Sequence, residues 1–250
     1  MIELLRYMKC DLYKLRRSAF FWLHILFPIC GVALVLLYAS FAEVSSISKI
    51  ATFFQLFAIA YPFVISVICT VVAEQEMKAG YCQNILVLPS RTKVALSKFF
   101  VMAVCGLLSV GFGTALFAGL LPLTSSALNI SYMSYLLPAL VLWSSNLLIY
   151  ALHLLVAFWF GKNACIGVGT VGSLLAALLQ TGLGTGLWFV LPYGFGVRLT
   201  EHFLMYSMDM TSALNAEIKY GMGCCIGITS VAICLMITFL YRYSGKSVTD

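Results

Sequence analysis

The chain has 250 residues, of which 62% are hydrophobic and 10% charged, and a formal net charge of +6. A mean hydropathy of +1.01 excludes a soluble core wrapped in polar surface, so lipid is the solvent for most of the chain. A bilayer offers peptide groups no water, which leaves helices or a closed barrel, and the unbroken apolar run from Ala19 to Ala42 lacks the alternation of barrel strands.

Residues 1–18 are predicted to form an amphipathic interfacial helix. Leu5, Met8, Leu12 and Leu15 recur at spacings of three and four, while Arg6, Lys9, Lys14 and Arg17 occupy other faces. Basic residues ahead of an apolar stretch also resemble a secretory signal. The stretch exceeds the roughly 7 to 15 residues of a signal core, so it is expected to stay as the first span.

Six spans follow from hydropathy, at about 19–41, 51–73, 99–121, 134–160, 164–190 and 220–241, forming one transmembrane domain over 19–250. An even number returns both ends to one side. Placing that side in the cytoplasm leaves only Lys49, Arg198 and Lys219 outside, so the positive-inside bias predicts cytoplasmic termini. Topology then accounts for the net charge, and no soluble basic domain remains to grip nucleic acid. The nine cysteines suggest no disulfide framework, and neither Cys-x-x-Cys nor a His-rich cluster suggests a metal.

Between spans two and three lies the 74–98 cytoplasmic loop, containing EQEMKAGYCQNILVLPSRTK. Here Glu74 and Glu76 are read at the N-terminus of a short helix that Pro89 stops, with Tyr81, Ile85 and Leu86 as apolar contacts. Such a helix serves either a protein partner or the membrane surface.

In the fourth span Trp143, Asn146, Tyr150 and His153 fall within one arc of a helix. Polar groups in hydrocarbon point inward, so these residues either fix helix packing or line a substrate path or subunit interface. Gln55, with Pro62 and Ser66 in the second span, carries the same two readings. The fifth span contains Gly167-x-Gly169-x-x-Gly172, formally a dinucleotide fingerprint but here inside a membrane helix, where Gly169, Ser173 and Ala177 permit close packing. Gly182, Gly184 and Gly186 are expected to break the helix near the outer surface, letting Leu187–Pro192 form a short re-entrant element. The extracellular loop, 191–219, carries Glu201, Asp209 and Glu217, either a site for a cationic peptide or ordinary solvated surface.

No Walker A sequence, nucleophile elbow or paired intramembrane carboxylate occurs, which argues against an enzyme. Glu76-x-x-x-Gly80, Asn84-Ile85-Leu86, Pro89-Ser90-Arg91 and Lys98 resemble the coupling-helix loop of type-2 ABC transporter permeases. Asp11-x-x-Lys14-Leu15-Arg16-Arg17-Ser18 resembles their connecting helix. Gly80-x-x-Gln83-Asn84-Ile85-Leu86, with Trp188, Leu191-Pro192-Tyr193 and Arg198, is most similar to the permeases of lantibiotic immunity transporters. Tyr81 stands where a small hydroxyl residue is usual, and Tyr193 where a tryptophan is.

The resemblance implies an all-α integral membrane protein with six transmembrane helices, an amphipathic connecting helix and a cytoplasmic coupling helix between spans two and three. It implies a transport subunit of a bacterial plasma membrane, with no cofactor of its own and with ATP and Mg held by a separate partner. The implied partners are two copies of a P-loop ATPase, a second related or identical permease, membrane lipid and a lantibiotic-like peptide exported for producer immunity. Glu74, Glu76, Gly80, Tyr81, Ile85, Leu86, Pro89 and Arg91 are its expected coupling residues. Alternatives are a permease exporting another amphiphile, such as a bacitracin-like drug or lipid-linked glycan, and a non-transporting scaffold or sensor.

Overall fold

The computed structural model describes residues 2–41, 45–78, 80, 82–83, 87–123, 130–210 and 215–242. These residues form helices and turns, without a strand among them. In chain order the helices are α1 (Ile2–Leu15), α2 (Phe20–Phe41), α3 (Ser46–Lys78), α4 (Arg91–Leu120), α5 (Met133–Ser145), α6 (Leu147–Phe160), α7 (Lys162–Gln180), α8 (Gly194–Ser207) and α9 (Ala216–Arg242). Six helical stretches are long and apolar enough to cross a membrane: α2, α3, α4 with the 3-10 turn Leu121–Leu123, α5 with α6, α7, and α9. The protein is an all-α multi-pass membrane protein, as its hydropathy predicts.

α3 is the central helix, packed against α2, α6, α7 and α8. Its 33 residues rise about 50 Å at about 1.5 Å each, against a hydrocarbon core of about 30 Å, so its last turns project beyond the apolar layer. Pro62 lies inside it, and the neighbouring Phe63 N–H donates across to Ser173 Oγ of α7 at 3.0 Å. A Cβ on Gly169 would fall 2.2 Å from Ser66 Oγ, so this glycine sets how closely α7 approaches α3. Toward the other side, Phe53 stacks on Phe117 at 4.3 Å and Phe57 fills the space left by Gly31 and Gly113, joining α2, α3 and α4.

Three expectations change. The fourth span is interrupted at Asn146, because Asn146 Nδ2 bonds back to Leu142 O (2.8 Å) and its N–H reaches Trp143 O (3.2 Å), tightening one turn. The fifth span ends at Gln180 rather than 190, where the glycine-rich turns begin. The 191–219 stretch is no open loop. It contains α8, which packs against α5 and α3 and buries Phe195, Val197, Leu199 and Leu204. Phe195 with Leu199 and Val197 with Leu204 lie on opposite sides of the helix, so α8 is buried from two directions, yet at 14 residues it is too short to count as a span.

Candidate functional site: the charged junction of α1, α3 and α4

The final turns of α3 carry Glu74, Glu76 and Lys78. This corrects their placement at a helix N-terminus: the helical hydrogen bonds of α3 continue past the last apolar residue, so both acids sit at its C-terminal end. The helix dipole opposes carboxylates there, and they persist only with cations beside them.

Those cations come from α4 and α1. Glu76 Oε1 accepts from Lys98 Nζ at 2.7 Å and from Lys14 Nζ at 3.0 Å. Lys98 also donates to Asp11 Oδ1 at 3.0 Å, and Asp11 Oδ2 accepts from Ser97 Oγ at 2.5 Å. Glu76 is 1% exposed and Lys98 3%, whereas Lys14 is 33% exposed, so two acids and two lysines form a charge-neutral cluster with a buried centre and one cation at its wet edge. Glu76 Oε2 is buried without a hydrogen-bond partner among the described residues. Such a set is tolerable only when complete, because removing one member leaves a desolvated charge unpaired.

The face by which α1 docks differs from the expected apolar one. Tyr7, Met8, Asp11, Lys14 and Leu15 face the bundle, while Leu5 is 52% exposed and Leu12 36%. The charged positions bind protein, and the exposed leucines suit a membrane surface.

Peripheral contacts extend the junction. Glu74 bonds Lys78 (3.3 Å) and Lys162 (3.1 Å), tying α3 to the start of α7. Lys93 pairs with Glu3, and its hydrogen bond holds the exposed Glu3 carboxyl below the usual carboxylate range. Arg91 Nη1 donates to Tyr241 O at 3.3 Å, joining α4 to the end of α9.

Between these helices runs the segment 79–90. Cys82 N–H closes on Glu76 O at 3.0 Å, with Gly80 at φ +104, a region that side-chain-bearing residues rarely adopt. Tyr81, Ile85 and Leu86 lie outside the described residues. Pro89 occupies the exposed bend before Ser90, whose Oγ caps α4 by accepting from Lys93 N–H at 3.4 Å. Val87, 85% exposed, is an apolar side chain that the sequence reading passed over, although its place in a short polar loop is a signal. Asp11, Lys14, Ser97 and Lys98 also went unassigned as a site, because nothing local pairs residues 22 to 87 positions apart.

The other candidates lie elsewhere. Trp143 Nε1 donates to Ala103 O of α4 at 2.8 Å, and Tyr150 meets Tyr61 of α3 at 3.2 Å between their hydroxyls, above Gly106. His153 Nδ1 stands 3.5 Å from Cys165 Sγ of α7, and Nε2 stands 3.4 Å from Tyr193 Oη. Asn146, Tyr150 and His153 are almost fully buried among helices of this chain. Gln55 faces α8 beside Thr200 and Glu201. The three outer acids have separate settings: Glu201 accepts from Gln180 Nε2 (2.9 Å), Glu217 from Trp188 Nε1 (2.6 Å), and Asp209 is exposed with φ +56.

A family model described as ABC-2 family transporter protein matches residues 7–176, from within α1 to the later turns of α7. No curated protein matches the chain.

Proposed function

The chain belongs to the ABC-2 family of transporter proteins, and from that premise we propose that it exports an amphipathic antimicrobial peptide, lantibiotic-like in character, for the protection of the cell that makes it. Family membership makes it a membrane subunit of an ABC transporter and implies an ABC ATPase subunit as partner. We further read α1 and both termini as cytoplasmic, the membrane as a bacterial plasma membrane, and the working unit as two permease subunits with two ATPase subunits that hold ATP and Mg. The two stretches 1–18 and 19–250 act as connecting helix and transmembrane domain.

The observation that carries the coupling reading is the buried cluster of Asp11, Glu76, Lys98 and Lys14. It fastens both flanks of the 79–90 segment to α1, so a push delivered to that segment moves three helices together instead of bending a loop. Glu76 serves from inside as a strut, while the exposed Gln83, Val87 and Pro89 offer surface to the ATPase. The peptide reading is supported by the resemblance around Gly80 and Trp188. Trp188 bonds Glu217, and Arg198 donates to Leu179 O (2.7 Å) and Thr181 O (2.5 Å), so these residues brace the turn that leads into α8.

The test is reconstitution of the complete transporter with release of a labelled lantibiotic as the readout, beside bacitracin and a lipid-linked glycan. Release of the peptide alone supports the assignment. Release of another amphiphile replaces the cargo, and no ATP-dependent release of any favours a scaffold. Gly80→Ala and Glu76→Gln are expected to abolish release while leaving membrane insertion intact; full release by both overturns the coupling reading.

A further inference from the structure

α5, the start of α6, α8 and α9 enclose a groove of about 330 Å³, at the small end of ligand-site volumes and sized for a few side chains. Leu199, Ser145 and Cys225 form its buried floor, and Ser144, Ile226 and Ser230 its exposed rim. The lining is mostly apolar but includes four hydroxyls, each of which donates to a carbonyl of its own helix. Ser144 Oγ reaches Val141 O (3.2 Å), Ser145 Oγ Leu142 O (3.1 Å), Thr229 Oγ1 Cys225 O (2.6 Å) and Ser230 Oγ Ile226 O (2.8 Å). With those protons engaged, the oxygens present only lone pairs. The groove therefore offers acceptors within a greasy surface.

Its position adds a second constraint. The Tyr241 end of α9 is tied to α4 on the α1 side, whereas the groove uses α9 residues 222–230, toward the opposite end. It opens in the half of the membrane away from α1. An acyl chain would fill the volume but bring no donors; a helical peptide in the membrane brings apolar side chains and, in its first turn, N–H groups without an intrahelical acceptor.

We propose that this groove is a capture site for a membrane-inserted peptide, holding its apolar side chains with their adjoining N–H donors before transport. The proposal rests on the export reading above and assigns that reading its first binding site.

The assembled transporter, in lipid nanodiscs, is offered two photoreactive probes: a cationic amphipathic peptide with a diazirine on an apolar side chain, and a diazirine-labelled long-chain fatty acid. Cross-linked residues are mapped by mass spectrometry. The peptide is expected to label 141–147 and 222–230. Ser230→Trp, which plugs the rim from an exposed position, lowers that labelling about tenfold, and Thr229→Val, which removes one acceptor, about three- to tenfold. Groove labelling by the fatty acid alone, peptide labelling unaffected by Ser230→Trp, or a disulfide between two copies of Ser230→Cys each overturns the proposal, the last showing a subunit interface. Peptide labelling without ATP-driven release sinks the export reading and leaves the groove; release without labelling does the reverse.

Discussion

At the α1 side of the bundle, Asp11, Glu76, Lys98 and Lys14 are joined by charge-assisted bonds. In the membrane core, Tyr61, Tyr150, His153, Cys165 and Tyr193 are joined through phenols, an imidazole and a thiol. Both sets are buried apart from the partly exposed Lys14 and Tyr193, and both connect helices distant in sequence. The difference lies in what remains when one member is removed. Deleting a phenol hydroxyl from the core leaves a neutral partner that apolar neighbours can accommodate. Deleting a charge from the junction leaves its counter-charge desolvated. The core set is a collection of separable packing interactions, whereas the junction stands or falls as a unit, the property on which the proposed coupling role draws.

The largest effect should come from Lys98→Met, which strips Asp11 and Glu76 of their shared cation. Breaking a buried pair costs about 3 to 5 kcal/mol, read as loss of thermal stability in detergent and faster proteolysis of α1. Lys98→Arg should recover part of it, having the charge but a wider head. Next, Gly169→Ala drives a methyl into Ser66 and should cost about 1 to 3 kcal/mol through separation of α3 from α7. Tyr150→Phe removes one hydroxyl interaction in the core and should cost about 0.5 to 1.5 kcal/mol in the same assay, small enough to leave transport intact. A destabilisation by Tyr150→Phe as large as that by Lys98→Met would erase the contrast.

The smallest effect is expected at the exposed rim of the junction. Lys93 lowers the folded-state pKa of Glu3, so the pair stabilises docking of α1 above the ordinary carboxylate pKa. That contribution is lost as pH falls through the lowered folded value. Glu3→Gln should therefore flatten the acid limb of α1 proteolysis while changing little at neutral pH.

The spans were legible because an apolar run of about 20 residues has few alternatives in lipid, and the glycines at 182–186 marked the end of α7. The limits of α3 were not. Hydropathy falls after Ala73, but backbone hydrogen bonds are indifferent to side-chain polarity and carry the helix to Lys78. The break at Asn146 hid inside an apolar stretch, since the signal is one amide bonding its own helix. The segment around Glu76 and Gly80 stood out in the sequence as a polar break between apolar runs, yet a glutamate in a polar loop points to a surface contact. Its burial depends on Lys98 and Lys14, whose pairing no local pattern encodes.

The central claim, that α1 and the flanks of 79–90 form one body through the buried cluster, is tested most directly by amide hydrogen exchange on the assembled transporter. In Lys98→Met, exchange should rise together in 2–15 and at the end of α3 around 74–78, while Tyr150→Phe leaves both unchanged. Unaltered protection of α1 in Lys98→Met, with the complex still assembled, would contradict the account.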